Sequence, residues 1–175
     1  MNQISSKQIL ETDRLILRQF TIGDAALVQQ LNNDPEVLKY LHEPRIKNEK
    51  EAITVIRTVL LPQYKNKLGR WAIHTKKDNE FIGWCGLKYR SDLEEIDLGY
   101  RLKRSAWGKG YASETASATL EYGFKKLKIP VITGRAHIEN IASIRVLEKI
   151  GMQFSREEIV DDCQVRTYTA VNPYL

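Results

Sequence analysis

The chain has 175 residues, about the size of a single domain, and can bury one sizeable core. Hydrophobic residues make up 42% of the composition and charged residues 28%, which is typical of globular proteins. No apolar run is long enough for a signal peptide at the N-terminus or for a membrane-spanning helix elsewhere. The formal net charge of +5 permits a phosphorylated ligand or a nucleic-acid partner but requires neither.

In the first third of the chain, the pattern of apolar and capping residues predicts one strand followed by helices. The strand is expected over 14–20. Thr21 and Asn48 are residues that typically cap helices, and each precedes a segment with helical spacing of its apolar residues. A shorter helix is expected around 36–41, between these two.

The middle of the chain changes to a period of two, which predicts strands joined by short polar turns as an antiparallel meander. The strands cover 70–75, 80–90 and 95–102. In the third strand, alternation places Asp97, Gly99 and Arg101 on one face and Ile96, Leu98, Tyr100 and Leu102 on the other.

The last part alternates helices and strands. A long periodic helix begins near Gly110 and is ended by Pro130, and a short helix is capped by Asn140 and ended by Gly151. Strands are expected over 131–136, 152–160 and 164–171. No linker marks a boundary, so one domain of mixed helices and strands is predicted.

The cysteines and histidines restrict the chemistry. Cys85 and Cys163 are far apart in a chain without a secretory signal, which predicts reduced thiols and a cytoplasmic location. Cys85 is interpreted as a small buried hydrophobe, because no histidine can be placed beside it to activate a nucleophile. His42, His74 and His137 lack the spacing of a metal site, so no metal is expected.

A glycine-containing turn, SAWGKGYASE from Ser105 to Glu114, joins the third meander strand to the long helix. Helix N-terminal amides favour phosphate, and glycine lets phosphate oxygens approach the main chain closely. A plain strand-to-helix turn is the alternative interpretation. Lys109 is followed by Gly110 rather than Ser or Thr, so a P-loop does not fit. Ser113 replaces the third glycine of a dinucleotide-binding turn.

Three segments in this order, ETDRLILRQF, LGYRLKRSAWGKGYASETASATLEYGF and HIENIASIRVLEKIGM, resemble the GNAT superfamily of acetyl-CoA-dependent N-acetyltransferases. The most similar branch contains the ribosomal-protein N-terminal acetyltransferases. The resemblance covers nearly the whole chain and implies an α+β (mixed α/β) fold, with residues 1–175 as a single N-acetyltransferase domain. Its central, mostly antiparallel sheet would be flanked by helices and splayed between the fourth and fifth main strands.

Acetyl-CoA is the co-substrate that the resemblance implies, and it would lie in the splayed cleft. Its pyrophosphate would rest on the main-chain amides from Ala106 to Ala112, and its pantetheine arm would pair with the strand near Arg101 and Leu102. Ser105 stands where the superfamily has Gln or Arg, which leaves open whether Arg104 contacts phosphate. The implied CoA-binding residues are Arg101, Leu102, Ala106, Trp107, Gly108, Lys109, Gly110, Tyr111, Ala112 and Asn140.

Acetyl transfer to an amine requires a base for the amine's proton and an acid for the leaving thiolate. Asp97 matches the acidic position of the branch and is the first candidate base, with Glu94 and Glu95 as further candidates. Ser143 matches the serine of the branch and is the candidate acid, since leucine stands where many superfamily members have a tyrosine. The alternative is that the three acids are ordinary solvated strand and turn residues. Asn140 would then only cap the following helix, and Ser143 would be an ordinary serine of its first turn.

The predicted activity is acetylation of a primary amine, either a protein N-terminal α-amine or a small-molecule amine, by direct transfer in a ternary complex. A CoA-binding sensor or interaction module without catalysis is the alternative. Scattered basic residues argue against a nucleic-acid partner, and no membrane partner is expected. A homodimer is compatible with the sequence, which does not determine the oligomeric state. Trp84 and Tyr89 are candidates for the acceptor side, although strand aromatics are more often core.

Overall fold

The structure, a computed structural model, describes residues 6–175. Its strands are β1 (Gln8–Glu11), β2 (Leu15–Gln19), β3 (Gly69–Thr75), β4 (Phe81–Arg90), β5 (Glu95–Leu102), β6 (Val131–His137), β7 (Gln153–Val160) and β8 (Cys163–Val171). Its helices are α1 (Ala25–Leu31), α2 (Pro35–Leu38), α3 (Glu49–Val55), α4 (Leu61–Gln63), α5 (Tyr111–Lys125) and α6 (Ile141–Lys149). None of these helices is long and apolar enough to cross a membrane.

All eight strands form one sheet in the order β1-β2-β3-β4-β5-β6-β8-β7, and every neighbouring pair is antiparallel except β5 and β6. The sheet is open between those two strands. They share only two register positions, Asp97 opposite Thr133 and Leu98 opposite Gly134. Counted without the short β1, they are the fourth and fifth strands, so the predicted α+β fold and the predicted splay are both confirmed.

Alternating residues of the sheet supply two separate hydrophobic cores. On one face, Leu87 and Leu98 pack with the apolar residues of α5 and α6. On the other face, Ala72 and Trp84 pack with those of α1 and α3. Since neighbouring strand residues point to opposite faces, Leu98 lies on the α5 face and Asp97 on the α1 face, as the alternation predicts.

The elements differ from the prediction at three places. The sequence does not predict β1, a four-residue edge strand that is too short to show an apolar period and that pairs only with β2. The helix α2 ends at Leu38, three residues earlier than expected. The helix that the Asn48 side chain caps widens into a π-helical stretch over Ile56–Leu60 before α4 begins.

Gly123 lies in α5 where this helix packs closely against the sheet. A Cβ at this position would approach Ile132 Cδ1 to 2.6 Å and Leu87 Cδ1 to 2.9 Å. Gly123→Ala is expected to lower the free energy of unfolding by about 1 kcal/mol, because overpacking outweighs the gain in helix propensity. Urea denaturation measures this, with the exposed Ser117→Ala of the same helix as the control. An unchanged or higher free energy of unfolding for Gly123→Ala would contradict the packing.

Candidate active site

The gap between β5 and β6 runs from Leu98 to the C-terminal end of β5. Over this stretch β5 still pairs with β4, from Gly99 opposite Gly86 to Leu102 opposite Gly83. The opposite edge of β5 has no strand partner within residues 6–175, so its backbone is available to a ligand with amide groups. The gap therefore ends at the glycine-containing turn that follows Leu102.

The backbone conformation of the turn favours glycine at two positions. Gly108 has φ +72° and Gly110 has φ +79°, in the left-handed region that other residues rarely adopt. A Cβ at Gly108 would meet nothing within 4 Å, so the space above this residue is open. The indole Nε1 of Trp107 donates to the carbonyl oxygen of Leu102 at 3.0 Å, which fastens the turn to the end of β5. The first turn of α5 follows directly from Gly110, its N-cap.

Arg14, which the sequence reasoning did not single out, holds this turn from outside. Its Nη1 donates to the Lys109 carbonyl oxygen at 3.0 Å, and its Nη2 lies 2.6 Å from a carboxylate oxygen of Glu114. Its guanidinium lies 4.4 Å from the centre of the Tyr111 ring. The Thr12 hydroxyl also donates to Glu114, at 2.5 Å. The ETDRL segment that carries Thr12 and Arg14 was the signal for this role.

Two arginines at the end of β5 connect it to the segment around α2. The Arg101 side chain is 8% exposed, donates to Asn32 Oδ1, and lies 2.9 Å from a carboxylate oxygen of Glu43. Arg104 lies 2.7 Å from a carboxylate oxygen of Asp34. The charge of Arg104 is thus already matched by an acid. At Arg101, the main chain rather than the side chain borders the gap.

The three candidate bases have different surroundings. Asp97 accepts from Arg135 Nη1 at 2.8 Å, and burial nevertheless raises the pKa of its carboxyl group. Burial also acts to raise the pKa of Glu95, but ion pairs with Arg135 and Arg156 outweigh it and lower that pKa. Glu94 lies in an exposed turn with φ +54°. Of the three, only Asp97 combines a place on β5 with a raised pKa, as a base requires.

The start of α6 places Ser143 against β5. The Asn140 side chain accepts from the Ser143 amide at 3.1 Å, so the predicted N-cap is present. The Tyr100 hydroxyl donates to Ser143 Oγ at 3.0 Å. Burial raises the pKa of Tyr100 to about 12, so its hydroxyl stays protonated at neutral pH. Sequence reasoning missed Tyr100, although it belongs to the DLGY segment that indicated Asp97.

Ser143 and Asp97 lie on opposite faces of the sheet. Tyr100 shares the face of Leu98 and reaches α6, whereas Asp97 is on the α1 face. The structure therefore groups Ser143, Asn140 and Tyr100 on one side of β5 and keeps Asp97 on the other side. Tyr100 lies in the stretch of β5 that is unpaired on the β6 side, and Asp97 lies at the closed end of the same gap, as one of the two β5 residues that pair with β6.

The remaining singled-out residues are mainly structural. Cys85 is buried, its Sγ lies 3.4 Å from Thr119 Oγ1, and burial raises the pKa of its thiol to about 11. This thiol is therefore not a nucleophile at neutral pH. Trp84 is 9% exposed on the α1 face, while Tyr89 is exposed. Within residues 6–175, no cluster of three or more His, Cys, Asp or Glu side chains is placed to hold a metal ion.

Sequence comparison identifies acetyltransferase relatives. The family model described as "Acetyltransferase (GNAT) domain" matches residues 14–153. An uncharacterized N-acetyltransferase of Bacillus licheniformis, p20, is 30% identical over 169 residues, which cover 96% of this chain and 94% of the relative.

Solved structures show the same fold. RimL, a ribosomal L7/L12 α-N-protein acetyltransferase in complex with coenzyme A, matches with a TM-score of 0.80 at 16% identity, covering 94% of this chain and 98% of that one. Spermidine N-acetyltransferase from Vibrio cholerae, in complex with CoA and spermine, matches with a TM-score of 0.78 at 18% identity, covering 92% and 97%. The family match and the relative together show that this chain belongs to the GNAT acetyltransferase family and is an acetyltransferase.

Proposed function

We propose that this enzyme transfers an acetyl group from acetyl-CoA to a primary amine, directly and within a ternary complex. The observation that carries the proposal is the gap between β5 and β6, which exposes one edge of β5 and ends at a turn with open space above Gly108. Direct transfer is supported by the burial of the Cys85 thiol, which leaves that side chain unable to hold an acetyl group. Free, buried cysteines also support the cytoplasmic location predicted above.

Acetyl-CoA fits the residues that the resemblance implied. The main-chain amides from Gly108 to Ala112 would hold the pyrophosphate, with Lys109 adding a positive charge. The amides of Ala106 and Trp107, which the sequence analysis included, instead donate to the carbonyl oxygens of Lys103 and Arg104 at 3.0 Å. The free edge of β5 at Arg101 and Leu102 would pair with the amides of the pantetheine arm. The side-chain Nδ2 of Asn140 donates to no other residue within 6–175 and would remain available to CoA, whereas the main-chain amide donates to the His137 carbonyl oxygen at 2.8 Å. The fold neighbours solved with CoA support this assignment.

Asp97 is the proposed base, which takes the proton of the incoming amine directly or through one water molecule. Its raised pKa brings it nearer to neutral pH, where proton transfer is most effective. The ion pair with Arg135 orients the carboxylate, since Nη1 bonds one oxygen and leaves the other for the acceptor.

Ser143 is the proposed acid, which protonates the departing thiolate, and Tyr100 is its positioning partner. Because Tyr100 donates to Ser143 Oγ, the Ser143 proton is directed away from the tyrosine. The first turn of α6 adds partial positive charge that favours the thiolate.

The acceptor is proposed to be a protein N-terminal amine or a small-molecule amine bound on the α1 face, where Asp97 lies. The neighbours solved as a ribosomal-protein acetyltransferase and a spermidine acetyltransferase represent these two classes. Release of free CoA with any amine separates an enzyme from a CoA-binding module.

The CoA site is tested by calorimetry on Gly108→Asp. Aspartate tolerates a positive φ, and its charge would repel the pyrophosphate at the open position. The expected result is a loss of about tenfold or more in acetyl-CoA affinity, with Gly108→Asn losing less. Gly151→Asp is the matched control, because Gly151 also has a positive φ, +89°, and nothing within 4 Å of an added Cβ. Gly151 follows the C-terminal end of α6, outside the glycine-containing turn. Equal affinity for wild type and Gly108→Asp would contradict the proposed site.

The base is tested by the pH dependence of kcat/KM. Asp97 must be ionised to act, so activity is lost as the pH falls through its raised pKa. Asp97→Asn is expected to lower kcat/KM about 100-fold and to leave only the acceptor amine's own ionisation in the profile. Glu94→Gln is the control and should keep the wild-type profile. A normal profile in Asp97→Asn would remove Asp97 from the mechanism.

The acid and its partner are tested by a double-mutant cycle on kcat. Ser143→Ala is expected to lower kcat about 100-fold, and Tyr100→Phe by a smaller factor. The double variant should be no slower than Ser143→Ala, because Tyr100 acts through the serine. Tyr168→Phe is the control, since this buried tyrosine also contacts α6, through Glu148 at 3.0 Å. Fully additive losses would show that Tyr100 does not act through Ser143.

A further inference from the structure

Two cations on the α1 face of the sheet have no anionic partner. Arg70 of β3 and Lys88 of β4 make no side-chain hydrogen bond or ion pair with any residue of 6–175. The other arginines of the strands on this face are all paired, within 3.0 Å of a carboxylate oxygen: Arg18 with Asp24, Arg90 with Asp92 and Asp161, Arg101 with Glu43, Arg135 with Asp97, and Arg156 with Glu158. The two unpaired cations are therefore exceptional on a surface where arginine is otherwise neutralised.

The strand register places these cations beside the candidate base. Arg70 is opposite Gly86, Gly86 is opposite Gly99, and Lys88 is opposite Asp97. Paired residues share a face, and their neighbours Trp71, Leu87 and Leu98 all point into the opposite core. The two glycines thus form a floor that carries no side chain of its own between Arg70 and Asp97, and the Trp84 ring lies over Gly99, 3.5 Å from where a Cβ would stand.

Glycine at position 86 is required by the main chain of β3. An added Cβ would come within 1.8 Å of the Gly69 carbonyl oxygen, which no side chain tolerates. Trp84 closes one end of this floor, since its ring centre lies 4.6 Å from the Arg70 guanidinium and 5.4 Å from that of Arg101. The result is a glycine floor partly covered by the Trp84 ring, with one acid and two cations that form no ion pair.

The electrostatics of the patch favour an anion. Burial and the nearby charge of Arg101 lower the pKa of Arg70. Burial and the charges of Arg70 and Arg90 lower the pKa of Lys88. Desolvated like charges without partners destabilise the protein, so an anion placed between them removes an unfavourable interaction. Glu43 and Asp97 raise the pKa of Arg70, and Asp97 and Asp161 that of Lys88, but by less than these lowering effects, and none of these carboxylates forms an ion pair with either cation.

We infer that Arg70 and Lys88 bind an anionic group of the acceptor, so that the substrate is an amine that also carries a carboxylate or a phosphate. The inference rests on the proposed acetyltransferase site, with the amine directed to Asp97 and the anion across the glycine floor. Arginine suits both anions because its guanidinium donates two parallel hydrogen bonds. Polyamines carry only positive charge, so Arg70 and Lys88 would repel them and they are expected to be poor acceptors.

Anion binding is tested on the CoA-saturated enzyme, in which the proposed pyrophosphate site is already filled. Inorganic phosphate and acetate are titrated separately against chloride at constant ionic strength, and the unfolding midpoint is measured. A ligand that binds only the folded state raises this midpoint. Wild type is expected to respond to at least one of the two anions, and the comparison identifies phosphate or carboxylate as the preferred group.

The matched variants are Arg70→Gln, Lys88→Gln and Arg166→Gln. Arg70→Gln and Lys88→Gln should lose the anion response. Arg166→Gln removes one positive charge from β8, where the Arg166 side chain is 42% exposed, and should keep the anion response. Arg70→Lys retains the charge and guards against a folding defect in Arg70→Gln. No response in wild type, or equal responses in wild type, Arg70→Gln and Lys88→Gln, would overturn the inference.

A kinetic comparison separates this inference from the proposed function. A dipeptide and its C-terminal amide differ in one carboxylate, and the free acid is expected to have a kcat/KM about tenfold higher in wild type. In Arg70→Gln this preference should disappear through KM. If CoA binds and amines are acetylated without such a preference, and neither anion raises the unfolding midpoint, only the inference fails. If the anion response holds but no amine is acetylated, the transferase mechanism fails while the anion site stands.

Discussion

The incomplete pairing of β5 with β6 is the constraint on which the rest of the site depends. These parallel strands meet at two positions and then separate, whereas strands inside a sheet usually bond along their length. Unpaired edges attract unwanted strand pairing, and a ligand with its own amides satisfies such an edge. The same gap gives access to both faces of one strand, so that Asp97 and the Tyr100–Ser143 pair approach it from opposite sides.

The turn at the end of the gap depends on a residue far away in the sequence. Gly108 and Gly110 provide the left-handed conformation, but a flexible glycine turn has no fixed orientation by itself. Arg14 supplies that orientation through the Lys109 carbonyl, the Glu114 carboxylate and the Tyr111 ring. Trp107 adds a second attachment, to the end of β5. The segment that leads into β2 and the helix α5 are thereby connected at the turn where the phosphates are proposed to bind.

The charges of the α1 face show how burial distinguishes chemically similar groups. Asp97 and Glu95 both contact Arg135, yet burial raises the pKa of Asp97 while ion pairs lower that of Glu95. Arg101 and Arg70 both contact Trp84, yet only Arg101 has an acidic partner. Unpaired buried charge reduces stability, and proteins usually retain it where function requires it. The α1 face of the sheet has this character, whereas the α5 face is an ordinary apolar core.

The sequence by itself determined the local features. The period of apolar residues placed β3 to β6, the Asn48 and Asn140 caps marked helix starts, and the resemblance to the GNAT superfamily indicated the open sheet. These signals lie within a few residues of one another, where hydrogen bonding and alternation act directly. Only the tertiary structure decided the contacts of Arg14, the Tyr100–Ser143 pair, the raised pKa of Asp97 and the isolation of Arg70. Each of these depends on groups that are distant in sequence and on burial, because the free energy of a charge or hydroxyl is set by what surrounds it.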